Sequence, residues 1–118
     1  MEIQFSTHLL DKALEKKKSQ REKLRLKTIK KINHVLNKLS HDIQFKEVYI
    51  FGSLTKPHRF SKNSDIDMGF IGLRDEDFFK ALAFLLRELE FEVDIIQLER
   101  HRFRDKIMRE SIKWTKKD

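Results

Sequence analysis

The sequence predicts a small α/β (α+β) domain: a mixed sheet flanked by helices and preceded by a long N-terminal helix. Three observations predict this class. No glycine or proline occurs from about Thr7 to Ser40, as a long helix requires. Short β-branched and aromatic runs occur at 47–51, 66–73 and 91–98. An apolar pattern of helical period separates the last two runs, so the order is helix, strand, loop, strand, helix, strand, helix.

The first helix has two apolar stripes, and Ser6 or Thr7 can cap its start. The second stripe is expected to pack on the rest of the domain: Ile29, Ile32, Val35, Leu36 and Leu39. A shorter stripe lies upstream: Leu9, Leu10, Ala13 and Leu14. Lys12 to Lys31 contains ten basic and two acidic residues. This part is expected to be a solvated arm, with a docking surface for RNA or an acidic partner as the alternative.

The strands and the loop between the first two follow from local composition. Glu47 to Phe51 is the first predicted strand and ends at Gly52; Ile66 to Leu73 is the second. The polar stretch from Thr55 to Asn63 contains Pro57 and is expected to be a loop or a broken short helix. The third strand is predicted at Phe91 to Leu98.

Two further helices are predicted. The acidic run at 75–77 suits the N-terminal turn of a helix that extends to about Leu89. Its predicted packing face consists of Phe78, Phe79, Ala81, Leu82, Phe84 and Leu85. The last helix is predicted from Arg102 to Lys116. Its candidate packing residues are Phe103, Ile107, Met108, Ile112 and Trp114.

Length and cysteine content limit the function classes. With 118 residues the chain is expected to be one domain over 1–118, divided into a basic helical extension at 1–45 and a core at 46–118. It has no cysteine, which excludes disulfides, thiolate zinc sites and a cysteine nucleophile. The N-terminus does not read as a signal peptide and no run is long enough to span a membrane. We therefore expect a cytoplasmic protein.

The net charge of +7 is unevenly distributed. Residues 1–45 contain eleven basic and five acidic side chains, and residues 100–118 contain eight and three. Residues 46–99 contain seven basic and eleven acidic side chains, a net charge of −4. That sign does not suit a groove that follows a phosphate backbone unless metal ions assist.

Three aspartates are the candidate catalytic and metal-binding residues. Asp65 and Asp67 are two residues apart in a predicted strand, so their carboxylates lie on one face. A strand-helix-strand unit usually places its strands side by side, which would bring Asp94 to that face. Three carboxylates in an acidic module need cations, and Mg²⁺ prefers such ligands. Two Mg²⁺ ions held together are the arrangement that supports phosphoryl and nucleotidyl transfer.

A triphosphate would also need binding groups near those carboxylates. Gly52 allows close backbone approach, and Ser53 offers a hydroxyl and an N–H. Lys56 and Arg59 in the following loop could reach the same phosphates. Ser64 precedes Asp65 and is expected to bond locally and orient that carboxylate.

The stretch "FGSLTKPHRFSKNSDIDMGF", with "VDII" on a later strand, resembles the minimal nucleotidyltransferases of the DNA polymerase beta superfamily. The resemblance covers about residues 46–115 and implies that superfamily's fold. It also implies that Gly52 and Ser53 hold the phosphates of a nucleoside triphosphate, with ATP as the expected substrate, and that Asp65 and Asp67 bind both Mg²⁺ ions. Asp94 would bind the catalytic ion and help to remove the proton of the attacking hydroxyl.

The resemblance further implies a partner. Minimal nucleotidyltransferases are often paired with a HEPN-domain ribonuclease toxin, and some are antitoxins that transfer AMP to a tyrosine of that toxin. Two alternatives stay open: an antitoxin or assembly subunit that neutralises the HEPN partner by binding alone, and a small-molecule or RNA nucleotidyltransferase whose basic helices contact RNA. A homodimer through the first helix has no clean heptad to support it.

Overall fold

A computed structural model describes residues 7–116; Ser6, one of the two predicted caps, lies outside them. Seven helices and strands follow one another along the chain: α1 Thr7–Asp42, β1 Glu47–Phe51, β2 Ile66–Ile71, α2 Phe78–Leu89, β3 Val93–Gln97, α3 Arg104–Glu110 and β4 Ile112–Thr115. Single 3-10 turns cover Gly52–Thr55, Asp75–Asp77 and Leu98–Arg100. The predicted mixed α+β class with a long first helix is confirmed.

The four strands form one mixed sheet in the order β3-β2-β1-β4. β1 is antiparallel to β2 and to β4, whereas β2 and β3 are parallel. The connection between the parallel strands runs through α2, as parallel pairing requires. As predicted, β3 therefore lies directly beside β2.

The prediction of a final helix from Arg102 to Lys116 is wrong. α3 ends at Glu110, and the chain then forms β4, which pairs with β1 from Ile50↔Ile112 to Glu47↔Thr115. Ile112 and Trp114 alternate with polar neighbours, the period of a half-buried strand. Trp114 is buried, and its Nε1 donates to Asn37 Oδ1 of α1 at 3.2 Å.

The hydrophobic core lies between the sheet and two helices. From α1 it receives the predicted stripe, of which Ile32, Val35, Leu36 and Leu39 are buried and Ile29 is half-buried. From α2 it receives Ala81, Leu85 and Leu89. Phe79, which we predicted on that face, is 77% exposed instead, because the helical period places it beside, and not on, the face that carries Ala81, Leu85 and Leu89.

The N-terminal half of α1 extends away from this core. Residues 8–21 are exposed, including Leu9, Leu10 and Leu14 of the upstream stripe. The solvated arm predicted from Lys12 to Lys31 is therefore confirmed only in its first half, because Glu22 and Arg25 contact the loop after β1 and Thr28 is buried. The described part of the molecule measures 68 × 28 × 25 Å, with a radius of gyration of 17.8 Å. None of its helices is apolar enough over a sufficient length to cross a membrane.

Candidate nucleotide and metal site

The sheet places Asp67 beside Asp94, and Asp65 lies close enough to Asp67 for its charge to act on it. Asp67 lies in β2 and is the register partner of Asp94 in the parallel strand β3. Asp65 immediately precedes β2, where Ile66 N donates to the Glu92 carbonyl at 2.9 Å and joins the starts of the two strands. We call Asp65, Asp67 and Asp94 the carboxylate cluster.

The cluster carries negative charge that the described chain does not neutralise. Burial raises the pKa of Asp67, and the neighbouring charges of Asp94 and Asp65 raise it further. Over residues 7–116, no lysine or arginine forms an ion pair with any of the three. A half-buried carboxylate beside two like charges is unfavourable, so the cluster would gain from a bound cation.

The donors of the cluster fit a divalent metal ion. All three side chains offer the oxygen ligands that Mg²⁺ prefers, and water and phosphate oxygens usually complete the shell of a protein-bound Mg²⁺. Within residues 7–116, no three His, Asp or Glu side chains already stand at metal-binding distances from one another. Asp65, Asp67 and Asp94 remain the residues that would hold the metal.

Gly52 brings the end of β1 against this cluster. The neighbouring Phe51 is the register partner of Asp67, and Gly52 has a φ of +79°. A Cβ added to Gly52 would lie 2.6 Å from Asp67 Oδ2. Both the backbone conformation and the close approach therefore require glycine at this position.

A family model described as "Polymerase beta, Nucleotidyltransferase" matches residues 30–118, which includes Gly52, Ser53 and the whole carboxylate cluster. The chain belongs to the polymerase beta nucleotidyltransferase family. It is thus a nucleotidyltransferase domain in general terms, a transferase of nucleotidyl groups. Searches of curated proteins and of solved structures returned no match.

The segment that follows Gly52 in this nucleotidyltransferase is a compact turn. Thr55 Oγ1 donates to the Gly52 carbonyl at 2.7 Å, and Lys56 N donates to the Ser53 carbonyl at 3.2 Å. Leu54, inside the turn, is fully buried. Gly52 and Ser53 therefore belong to one hydrogen-bonded turn that is anchored by Leu54.

The other predicted nucleotide-binding residues lie farther along the same loop. Lys56 and Arg59 are exposed, and neither contacts the carboxylate cluster through an ion pair in the described structure. Ser64 bonds locally, as expected, but its described partner is Ser61 and not the Asp65 carboxylate: its Oγ accepts from Ser61 N at 3.0 Å and lies 3.3 Å from Ser61 Oγ. That bond closes the turn from which the chain enters Asp65.

One part of the site comes from α1 and was not predicted from the sequence. Arg25 Nη1 donates to the Leu54 carbonyl, and Glu22 Oε1 accepts from His58 N. The partners are 29 and 36 residues apart, so no local pattern indicates them. The only available signal was that Glu22 interrupts a basic stretch three residues before Arg25, the spacing of an ion pair on a helix.

Proposed function

We propose that this nucleotidyltransferase transfers AMP from ATP to a hydroxyl group and releases pyrophosphate. The observation that carries the proposal is the contact between Gly52 and Asp67, with Asp94 beside Asp67 in register. A backbone segment suited to phosphates then lies against the carboxylates suited to metal. That juxtaposition is what nucleotidyl transfer needs at its reacting phosphorus.

The proposed reaction is a displacement at the α-phosphorus. The acceptor oxygen forms a bond to that phosphorus while the bond to the oxygen bridging the α and β phosphorus atoms breaks. The bridging oxygen keeps the electron pair and leaves with pyrophosphate. The hydroxyl proton passes to the Asp94 carboxylate and from there to water, since Asp94 is exposed.

Each residue of the site has a proposed task. Two Mg²⁺ ions, when bound, would neutralise the charge that develops on the attacking and leaving oxygens. Asp65 and Asp67 would hold both ions, and Asp94 would hold the ion nearer the acceptor. The triphosphate would be bound by a second set of residues along the loop: Gly52, Ser53, Lys56, Arg59 and Ser64.

We propose that the acceptor is a tyrosine of a partner HEPN ribonuclease toxin, so that the protein is its antitoxin. Asp65 and Asp94 are exposed at the start of their strands, which suits an acceptor presented by another folded protein. The resemblance to minimal nucleotidyltransferases supports the same partner. Modification of one tyrosine would then inactivate the toxin covalently.

Intact mass spectrometry of the HEPN partner tests this proposal. The partner is incubated with the protein, Mg²⁺ and ATP, in parallel with Asp67→Asn and with Asp75→Asn as a matched control. A gain of one or more AMP units with the native protein and the control, absent with Asp67→Asn, supports it. If the native protein adds no AMP, and the toxin is inhibited equally by the native protein and by Asp67→Asn, the result favours neutralisation by binding. Labelling of RNA or a small molecule instead favours the third function.

A further inference from the structure

The middle of α1, from Lys18 to Arg25, contacts the segment after Gly52 through three polar contacts. Arg25 Nη1 donates to the Leu54 carbonyl at 2.9 Å. His58 N donates to Glu22 Oε1 at 3.0 Å. The third contact joins His58 Nδ1 and the Lys18 carbonyl at 3.2 Å. Two successive turns of α1 thus hold both ends of the segment between Leu54 and His58.

Glu22 and Arg25 also fix each other. Arg25 Nε and Nη2 donate to the two carboxylate oxygens of Glu22 at 2.8 and 3.0 Å. Their side chains are 13% exposed for Arg25 and 25% for Glu22, so this pair is better shielded than most surface pairs. The hydrogen bonds from Arg25 and from the His58 backbone lower the pKa of Glu22 to about 2, and the carboxylate stays ionised at neutral pH.

The held segment is one that needs external support. His58 has a φ of 65°, a left-handed conformation that costs about 1 kcal/mol or more for a residue with a side chain. The Leu54 carbonyl belongs to the same turn as Gly52 and Ser53, which the Thr55–Gly52 hydrogen bond keeps compact. A shift at Leu54 would therefore displace Gly52.

We propose that Glu22 and Arg25 are positioning residues that hold the Gly52–Thr55 turn where Gly52 and Ser53 bind the triphosphate. This inference rests on the proposed function. Both residues lie before residue 30, where the family match begins, so the nucleotide site extends onto a part of α1 that the family pattern does not include. Neither residue touches the carboxylate cluster, and each acts through the turn.

The two residues are not needed to keep α1 in place. Farther along the helix, Ile32, Leu36 and Leu39 are buried in the core. Loss of the polar contacts should therefore loosen the turn while the helix stays docked. This separation makes the role of Glu22 and Arg25 testable apart from folding.

The test compares Glu22→Ala and Arg25→Ala with Arg21→Ala, an exposed arginine on the same helix that makes no hydrogen bond to the turn. Amide hydrogen exchange is followed across 52–58, and binding of a non-hydrolysable ATP analogue with Mg²⁺ is measured by calorimetry. In both test variants we expect amide exchange at 52–58 to be about tenfold faster and the Kd for the ATP analogue to be about tenfold higher.

The KM for ATP should rise similarly while kcat changes less than about twofold. Arg21→Ala should match the native protein.

Two results would overturn the proposal. One is unchanged exchange and unchanged Kd in both test variants. The other is faster exchange throughout the core with a lowered Tm, which would assign the pair to overall stability. Failure of the proposed function has a different signature: the native protein transfers no AMP. In that case exchange at 52–58 and analogue binding still decide whether Glu22 and Arg25 position the turn.

Discussion

Two Asp-x-Asp sequences, 65–67 and 75–77, lie near opposite ends of β2. The side chains around the first are acidic, whereas those around the second include arginines. At the start of the strand, Asp65 and Asp67 face Asp94, and no basic side chain of the described chain pairs with them. Beyond its other end, Asp75 accepts from Gln97 Nε2 at 2.6 Å and from Arg100 Nη1 at 3.1 Å. The negative charge of this short sequence is thus unpaired at the start of β2 and is neutralised beyond its other end.

The titration behaviour of the two sequences differs accordingly. Burial and like charges raise the pKa of Asp67, whereas the hydrogen bond from Gln97 and the charge of Arg100 lower the pKa of Asp75. Asp77 is also paired, with Arg74 Nη2 at 3.0 Å. The chain can therefore supply arginines to aspartates, whereas over residues 7–116 no arginine or lysine forms an ion pair with Asp67. Uncompensated charge of this kind is a candidate functional site on physical grounds.

The largest expected difference is in catalysis. Asp67→Asn should lower the rate of AMP transfer by about 10³-fold or more, because it removes a carboxylate from the metal site. Asp75→Asn, the same change at the other end, should stay within about twofold of the native rate. Transfer rates at saturating ATP and Mg²⁺ measure both. Equal losses in the two variants would remove the distinction between the two ends.

Gly52, beside the carboxylate cluster, and Gly72, just after β2, give a second pair of matched substitutions. Gly52 and Gly72 have φ values of +79° and +83°, so alanine at either position should cost about 1 kcal/mol of stability. Only at Gly52 would the new Cβ meet a carboxylate, at 2.6 Å; at Gly72 it would meet Lys46 Cγ at 3.3 Å.

Gly52→Ala should therefore displace Asp67 and lower transfer by about 100-fold, whereas Gly72→Ala should lose stability and keep its activity. Urea unfolding and transfer rates together measure this contrast. A Gly52→Ala protein with the native transfer rate would contradict the close approach of β1 to Asp67.

Mg²⁺ should stabilise the folded protein through the carboxylate cluster and not through Asp75. At a Mg²⁺ concentration about ten times Kd, we expect a gain of about 1.4 kcal/mol, or several degrees in Tm. Asp75→Asn should keep this shift and Asp67→Asn should lose most of it. Thermal melts with Mg²⁺ and with EDTA supply the measurement, and an identical shift in the two variants would indicate nonspecific binding.

The smallest expected effect is on stability without metal. A raised pKa means that folding favours the protonated Asp67, so its contribution to stability is full at low pH and is lost as pH rises through the raised value. Asp75 has the opposite sign: its contribution is present at neutral pH and is lost as pH falls through the lowered value.

In EDTA at neutral pH, Asp67→Asn should therefore raise stability, by less than about 1 kcal/mol because water screens the partly exposed group. Asp75→Asn should lower it slightly. Thermal melts of the two variants from about pH 3 to 7 measure the expected gain for Asp67→Asn and the expected loss for Asp75→Asn. A Tm of Asp67→Asn below that of the native protein at neutral pH would contradict the raised pKa of Asp67.

Local patterns were sufficient to predict the first three strands, α1, α2 and the adjacency of Asp67 and Asp94. Each depends on periodicity or on the usual geometry of a strand-helix-strand unit. β4 was missed because Ile107, Met108 and Ile112 also fit a helical face. Strand formation there depends on pairing with β1, more than 60 residues earlier in the sequence.

The contacts of Arg25 with Leu54 and of Glu22 with His58 could not be predicted for a similar reason. Each joins a helix residue to a backbone group across 29 or 36 residues, and a backbone acceptor has no sequence signature. Tertiary contacts of this kind, which decide how a site is held, become visible only in three dimensions.

The projecting half of α1 also affects how the protein behaves in solution. A compact chain of about 100 residues has a radius of gyration of about 13 Å, whereas this one has 17.8 Å and a long axis of 68 Å. Such a particle diffuses more slowly than a sphere of equal mass and leaves a size-exclusion column early. A monomer can therefore elute at the position of a globular dimer, and light scattering is the appropriate measure of its mass.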